Sequence, residues 1–174
     1  MRIRLAAMAD VPAIARVHVD SWRTTYKGIV PDDYLTNLSY ERRERLWHEV
    51  ISASGSLVFV AEAADENIVG FAAGGRERSG DPLYSGELYA IYLLDSWQRR
   101  GIGRQLTMAL VRRLIEAGLT SLLVWVLAKN PSRQFYEALG GRQVREKVGT
   151  TGGVQLIEVA YGWLDARAMV EAQG

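Results

Sequence analysis

The chain has 174 residues, of which 48% are hydrophobic and 24% charged, so it has the size and composition of one globular domain and is neither disordered nor fibrous. Its formal net charge of +1 produces no strong field that would attract nucleic acid or an anionic membrane, and neither is expected as a partner. The absence of cysteine excludes disulfides, thiolate nucleophiles and cysteine-ligated metals.

The first fifty residues predict a short strand followed by two helices. Residues 2–7 form the strand, and the apolar run that ends near Asp10 is too short for a signal peptide or a membrane span, so we expect a cytoplasmic protein. Asp10, as an N-cap, begins a helix that ends near 26–28. A second helix is predicted over 39–51, with 28–38 as the loop between the two helices.

The middle of the chain predicts three strands. The runs 57–63 and 68–74 are rich in β-formers and are separated by a turn-like Asp-Glu-Asn segment, which predicts an antiparallel hairpin. The run 87–94 is apolar at both sets of alternating positions, as in a strand that is covered on both faces. We therefore place this third strand at the centre of the sheet.

The remaining residues predict a strand–helix–strand crossover and a final pair of strands. A helix follows Gly103 and is closed by Gly118, and the next strand covers 121–127, so a right-handed parallel crossover is expected. A short helix between Asn130-Pro131 and Gly140-Gly141 precedes strands over 142–148 and 154–161. Together the elements predict a mixed α/β fold in a single domain over 1–174, with a sheet of antiparallel and parallel strands flanked by helices.

The loop between the central strand and the next helix has the features of a phosphate site. Its sequence is Gln98-Arg99-Arg100-Gly101-Ile102-Gly103, and a helix start carries unpaired N–H groups and the positive end of the helix dipole. Two glycines flanked by arginines are also typical of an ordinary exposed turn. The position of this loop directly before a helix favours a diphosphate site over such a turn. The loop lacks the lysine of a P-loop and the third glycine of a dinucleotide fold.

This loop resembles the signature Q/R-x-x-G-x-G/A of the GNAT N-acetyltransferases, and the segment from Asn130 to Gly140, which contains Phe-Tyr-Glu, is similar to a later segment of that family. The resemblance covers nearly the whole chain and implies the GNAT acyl-CoA N-acyltransferase fold, with acetyl-CoA as the acetyl donor and no metal. It also implies a set of cofactor-binding residues: Ile91, Tyr92 and Leu93 along the pantetheine arm, Gln98, Arg99, Arg100, Gly101, Ile102, Gly103 and Arg104 around the diphosphate, and Asn130 and Arg133 on the other side. Asn130 also suits a plain helix N-cap.

The reaction requires a proton acceptor and a proton donor. An alkylamine with a pKa near ~10.4 is mostly protonated at pH 7. The gap of roughly 3.4 units between this pKa and the pH corresponds to a free-energy cost of about 4.6 kcal/mol for forming the neutral, nucleophilic amine. Glu87, at the start of the central strand, is the predicted general base, acting directly or through water, and the alternative is a solvated strand-end carboxylate. Tyr136 matches the family's tyrosine and is the predicted acid that protonates the coenzyme A thiolate, and the alternative is a core aromatic residue.

The acceptor is expected to be a primary amine of a small molecule. Four aromatic residues are predicted to form its wall, namely Trp22, Tyr26, Tyr89 and Trp125, although Trp22 and Trp125 also suit the core. Asp20, Asp32 and Asp33 are candidates for attracting a cation, or else loop residues and caps. His18, on the apolar side of its helix, is expected to be a buried histidine with a hydrogen-bond partner rather than a metal ligand.

Three other interpretations remain open at this point. A domain of the same fold could bind acetyl-CoA as a sensor or interaction module without turnover, although Glu87 and Tyr136 favour an enzyme. The arginines of the loop and the helix could bind nucleic acid, which the net charge disfavours. A larger acyl donor is also compatible with the sequence, and the strands after Gly141 are predicted to offer an edge for a homodimer.

Overall fold

The computed structural model describes residues 1–171 and contains one mixed sheet with helices on both faces. Its strands are β1 (Arg2–Leu5), β2 (Leu57–Glu62), β3 (Ile68–Arg76), β4 (Gly86–Leu93), β5 (Leu122–Leu127), β6 (Arg142–Thr151) and β7 (Val154–Trp163). They lie in the order β1-β2-β3-β4-β5-β7-β6, and all neighbours are antiparallel except β4 and β5. The seven predicted strands and the central place of β4 are confirmed.

The helices form two layers. They are α1 (Val11–Thr25), α2 (Asp32–Thr36), α3 (Tyr40–Ser52), α4 (Ile102–Glu116), α5 (Arg133–Ala138) and α6 (Arg167–Glu171). Helix α4 covers one face and packs on β2 and β3, while α1 covers the other face and packs on β3 and α3. No helix within residues 1–171 is long and apolar enough to cross a bilayer.

Strand β4 is covered on both faces, as its apolar pattern predicts. Leu88 packs in the cluster under α4, together with Leu106 and Leu110. Ala90 packs on the other side, against a cluster that contains Ile14 of α1. Burial of both sets of side chains explains why β4 lacks the polar alternation of an edge strand.

Three local predictions are corrected by the structure. Strand β1 ends at Leu5, and the predicted loop over 28–38 contains the short helix α2. Asp10 stands at the N-cap position of α1, but its carboxylate accepts a hydrogen bond from the Ala7 N–H at 2.7 Å and pairs with Arg4. The strong charged partner on β1 draws the carboxylate away from the first turn of the helix.

A buried histidine joins α1 to α3. Trp47 donates its indole N–H to His18 Nδ1 at 3.0 Å, and the His18 ring stacks on Tyr92 with the centroids 5.0 Å apart. Burial lowers the pKa of His18 to about 3. The prediction of a buried histidine with a hydrogen-bond partner is therefore confirmed.

The sheet opens between its two parallel strands. Residues Gly86–Leu88 of β4 pair with Leu122–Val124 of β5, and the pairing stops there. A register shift on the β3 side, between Ala73 and Gly74, leaves Tyr89 out of the β3–β4 ladder. Such a bulge bends the strand and increases its twist, so β4 and β5 separate and leave a cleft beyond Leu88.

Candidate active site

A cavity of about 610 Å³ occupies the cleft between β4 and β5. Small-molecule sites commonly have volumes of about 300–1,000 Å³. Thirteen of the predicted site residues line this cavity: Tyr26, Tyr89, Ile91, Tyr92, Leu93, Gln98, Arg99, Gly101, Gly103, Arg104, Trp125, Asn130 and Tyr136. The other five, which do not line it, are Trp22, Glu87, Arg100, Ile102 and Arg133.

The loop before α4 has an unusual backbone. Gly101 is the N-cap of α4 with φ +77°, and Arg99 also has a positive φ, +56°. Because Gly101 has no side chain to cap the helix, the first-turn amides remain available to a ligand, and the helix dipole favours an anion there. A Cβ at Gly101 would meet no protein atom within 4 Å, so within the chain itself the positive φ is what favours glycine at this position.

The second glycine of the loop lies where α4 meets β4 and α5. A Cβ on Gly103 would lie 3.4 Å from Leu93 Cδ1 and 3.5 Å from Phe135, which are ordinary van der Waals distances. The first turn of α4 therefore packs against the end of β4 and against α5, and Gly103 itself lines the cavity.

The cationic side chains of the loop have different positions. Arg99 and Arg104 line the cavity, whereas the guanidinium of Arg100 lies over the Trp97 ring, 5.2 Å from its centroid. The Ile102 side chain is buried in the core under α4, so only its backbone amide belongs to the loop surface. Positive charge is thus concentrated on one wall of the cavity.

The end of β4 is held in place from two sides. The Leu93 carbonyl accepts hydrogen bonds from Ser21 Oγ at 3.1 Å and from Gln98 Nε2 at 3.2 Å. On its β5 side, β4 has no paired residue after Leu88. The backbone of Ile91 to Leu93 can therefore bond to an extended ligand in the way that a strand bonds to a neighbour.

Asn130 borders the cavity on the side of α5. Its Oδ1 accepts a hydrogen bond from the Ser132 N–H at 2.8 Å, and its Nδ2 donates to the Tyr26 hydroxyl at 3.3 Å. The N-cap of α5 is Ser132, so Asn130 forms the turn that precedes the helix. Its side chain joins this turn to α1.

The structure gives Arg133 a supporting position. Its guanidinium donates to the Tyr161 hydroxyl at 2.9 Å, the Ala128 carbonyl at 3.0 Å and Gln143 Oε1 at 3.0 Å. Three of the five N–H donors of the guanidinium are used in these bonds, and Arg133 does not line the cavity. Arg133 holds α5 against β7 and β6.

Tyr136 is placed at the inner end of the cavity. It is 6% exposed, and its ring packs on Tyr161 and Phe135 with the centroids 5.9 Å and 5.4 Å away. Burial raises the pKa of the Tyr136 hydroxyl, so this phenol stays protonated at neutral pH. It is a proton donor that borders the cavity.

Glu87 lies beside the cavity rather than on its wall. It is 4% exposed, and the Arg78 side chain donates to Glu87 Oε1 at 2.6 Å and to Oε2 at 3.1 Å. The Arg78 backbone N–H donates to Oε2 as well, at 3.1 Å. Arg78 belongs to the loop between β3 and β4, and nothing in the sequence spacing indicated this partner.

The acceptor residues separate into wall and support. Tyr26, Tyr89 and Trp125 line the cavity, whereas Trp22 packs against the Tyr26 ring at 4.5 Å between centroids and supports it from behind. Ser21 and Thr25 of α1 also line the cavity, and sequence reasoning missed both because small polar helix residues carry no distinctive signal.

The acidic candidates lie elsewhere. Asp20 accepts a hydrogen bond from the Tyr40 hydroxyl at 2.7 Å, and Asp32 and Asp33 form the first turn of α2. None of the three borders the cavity.

Comparisons with known proteins place the chain in a family. Residues 72–149 match the family model of FR47-like proteins. The uncharacterized N-acetyltransferase YuaI of Bacillus subtilis (strain 168) is 45% identical over 167 residues, which cover 96% of this chain and 95% of YuaI. The chain belongs to the GNAT N-acetyltransferase family. The predicted resemblance is thereby confirmed, and so are the fold class and the classification as an enzyme.

More distant GNAT relatives cover most of the chain. The spermidine N(1)-acetyltransferase of Thermoplasma acidophilum is 23% identical over 134 residues, which cover 75% of this chain and 80% of the relative. The structure of yncA from Salmonella typhimurium, solved with its cofactor acetyl-CoA, is 25% identical and covers 95% of this chain and 94% of its own, with a TM-score of 0.73.

Proposed function

We propose that this GNAT protein transfers the acetyl group of acetyl-CoA to a primary amine of a small molecule by direct attack. The observation that carries the proposal is one continuous cavity that joins the amide-rich start of α4, the unpaired side of β4 and the Tyr136 hydroxyl. The bound acetyl-CoA in the related yncA structure supports the donor.

The residues present fit the donor. The left-handed N-cap at Gly101 exposes helix amides for a diphosphate, and Arg99 and Arg104 add positive charge on the same wall. The β4 backbone from Ile91 to Leu93 would hold the extended arm. When bound, acetyl-CoA supplies an activated acetyl thioester.

Tyr136 is the proposed general acid. A coenzyme A thiol has a pKa of about 8.5 and an ordinary phenol one of about 10, so a tyrosine remains protonated when the thiolate leaves. Burial raises the pKa of Tyr136 further, which keeps the proton on the phenol until a stronger base forms beside it.

Glu87 is the proposed general base, and its position favours transfer through water. The carboxylate is next to the cavity but not on its wall, so a bridging water would carry the proton of the amine. The hydrogen bonds from Arg78 contact both carboxylate oxygens of Glu87 and fix their orientation.

The acceptor is proposed to be a small molecule, as the name of the spermidine acetyltransferase relative indicates for that protein. The cytoplasmic location and the homodimer stay predictions.

Calorimetry with acetyl-CoA and a thiol-release assay with a panel of amines test the proposed acetyl transfer. Saturable binding of acetyl-CoA and amine-dependent release of thiol are expected. Absence of both would reject the proposed function, whereas binding of acetyl-CoA without thiol release in the presence of any amine would identify a sensor.

A further inference from the structure

Two aromatic residues flank the point where the sheet opens. The last paired residues of the parallel strands are Leu88 on β4 and Val124 on β5. Tyr89 and Trp125 are the next residue on each strand, and both line the cavity. They therefore border the cleft on its two sides at its narrow end.

Both rings lie on the face of the sheet opposite α4. Val124 packs in the cluster under α4, and alternation along β5 turns Trp125 to the other face. A Cβ on Gly74 of β3 would meet Leu110 of α4, whereas one on the next residue, Gly75, would meet the Tyr89 hydroxyl at 2.6 Å, so Tyr89 also lies on the face opposite α4. Trp125 packs with Leu123 and Ala160 on that other face. Tyr136 belongs to the cluster under α4, so an acceptor that approaches from the face opposite α4 passes these rings to reach it.

The two rings are fixed before any ligand binds. The Tyr89 hydroxyl donates to the Arg76 carbonyl at 2.6 Å, and the Arg78 guanidinium lies 3.9 Å from the centre of its ring. The Lys147 ammonium lies 3.9 Å from the centre of the Trp125 ring. Each ring is thus held by a cation of the chain itself, and its remaining surface forms a rigid apolar wall.

The cavity has no carboxylate to receive a second cation. Within residues 1–171, no aspartate or glutamate lines it, and the charged residues on its wall are Arg99 and Arg104. The nearby Glu87 carboxylate is bonded to Arg78. The reacting amine is neutral when it attacks, but the second ammonium of a diamine would remain charged and without a partner, which is costly in a partly desolvated site.

We propose that the acceptor is a monoamine with a flat aromatic body that packs between Tyr89 and Trp125, and that diamines and polyamines are poor substrates. This inference rests on the proposed acetyl transfer and names the chemical class of its acceptor. Aromatic contacts with the two rings stabilise the flat body, and a cavity wall that has arginines but no carboxylate among residues 1–171 discriminates against the second cation.

The test compares three amines of similar length with the full chain and acetyl-CoA: 2-phenylethylamine, hexylamine and 1,5-diaminopentane. The initial rates give kcat/KM for each amine. We expect kcat/KM for 2-phenylethylamine to be about tenfold or more above that for 1,5-diaminopentane, and kcat/KM for hexylamine to lie between the two. Equal or faster acetylation of the diamine overturns the inference, and so does binding of acetyl-CoA without acetylation of 2-phenylethylamine.

A variant assigns the preference to the wall. Trp125→Leu keeps an apolar side chain and removes the ring, so kcat/KM for 2-phenylethylamine should fall about tenfold while that for hexylamine changes less than about threefold. Calorimetry with acetyl-CoA checks that the variant is folded. Equal losses for the two amines would show that the ring does not select the acceptor. Failure of acetyl-CoA to bind to the wild-type chain would instead reject the proposed function itself.

Discussion

At the scale of single residues, the two proposed catalytic groups have opposite environments. Tyr136 is buried, and burial is the main cause of the upward shift in its pKa, so its proton is retained until a base forms next to it. Glu87 is equally buried, but Arg78 bonds to both of its carboxylate oxygens. The phenol therefore lies in an apolar environment, whereas the carboxylate lies against a guanidinium.

Replacing Tyr136 by Phe tests the acid. The substitution removes one hydroxyl and preserves the ring that packs on Tyr161, so the affinity for acetyl-CoA should not change. We expect kcat to fall by about 10², measured by steady-state thiol release. Tyr40→Phe, at a partly exposed phenol that bonds to Asp20, is the control. Wild-type kcat in Tyr136→Phe would contradict the assignment.

Replacing Glu87 by Gln tests the base. The amide retains an oxygen for Arg78 but cannot take a proton, so kcat should fall by about 10² or more at pH 7 with acetyl-CoA binding unchanged. Glu62→Gln is a matched control, because Glu62 is also a partly buried carboxylate that an arginine, Arg4, contacts. If both variants lose activity to the same extent, the loss reports stability and not catalysis.

At the scale of elements, the start of α4 combines local strain with binding. Gly101→Ala would place a Cβ on a residue with φ +77°, which costs about 1–2 kcal/mol in backbone strain. A change of φ that relieves this strain would turn the first amides of α4 away from the cavity. We expect Kd for acetyl-CoA to rise about tenfold in calorimetry.

Gly118 provides the matched control for this helix. It follows the C-terminus of α4 with φ +82°, and a Cβ there also meets no atom within 4 Å. Gly118→Ala should therefore destabilise the fold to a similar extent and leave Kd for acetyl-CoA unchanged. Equal effects of both variants on Kd would show that general stability, not the N-cap, controls binding.

The α1–α3 contact predicts a pH-dependent stability. His18 has a pKa of about 3 in the folded protein against about 6.5 in an unfolded chain. Above pH 6.5 both states are neutral and stability is full. As the pH falls from 6.5 towards 3, the unfolded state binds the proton first, so unfolding becomes easier, by an amount on the order of 4 kcal/mol at the lower limit.

The measurement is urea unfolding between pH 7 and pH 4 for the wild type and His18→Gln. The variant should lose much of the slope of stability against pH in this window, while His48→Gln, at an exposed histidine of α3, should keep it. An unchanged slope in His18→Gln would mean that carboxylates dominate the acid sensitivity.

At the scale of the whole molecule, the edge of the sheet formed by β6 exposes apolar side chains. Strand β6 is the last strand of the sheet, and Val148 on it stands opposite Ile157 of β7, with 64% and 49% of these residues exposed. A long edge strand with exposed apolar side chains favours pairing with another chain. We therefore keep the homodimer as the expected assembly, with two copies related by symmetry at this edge.

Light scattering on a size-exclusion column tests the dimer. The wild type should have twice the mass of the chain, and Val148→Lys should shift it towards the monomer by charging the edge. Leu164→Lys changes a residue that is 70% exposed outside the hairpin and should remain dimeric. A wild-type monomer at high micromolar concentration would exclude this assembly.

The sequence by itself determined the seven strands and the position of the predicted diphosphate loop before α4. The seven strands follow from local alternation, and the loop from Gln98 to Gly103 is recognised because a helix start and its glycines act over a few neighbouring residues. Contacts between distant segments were beyond that reach. Helix α2 is contacted by Arg23 of α1, which donates to the Leu35 carbonyl across twelve residues, whereas the bond from the Ala7 N–H to Asp10 spans only three residues and was missed although it is local.

Only the tertiary structure decided how the site is arranged. It placed Arg78 on Glu87, turned Arg133 towards Tyr161 and kept the three candidate aspartates off the cavity wall. It also stopped the β4–β5 ladder at Leu88, which creates the cleft. Side-chain partners across a sheet are selected by packing between segments far apart in the chain, and hydrophobic periodicity records which face is buried but not which group lies opposite.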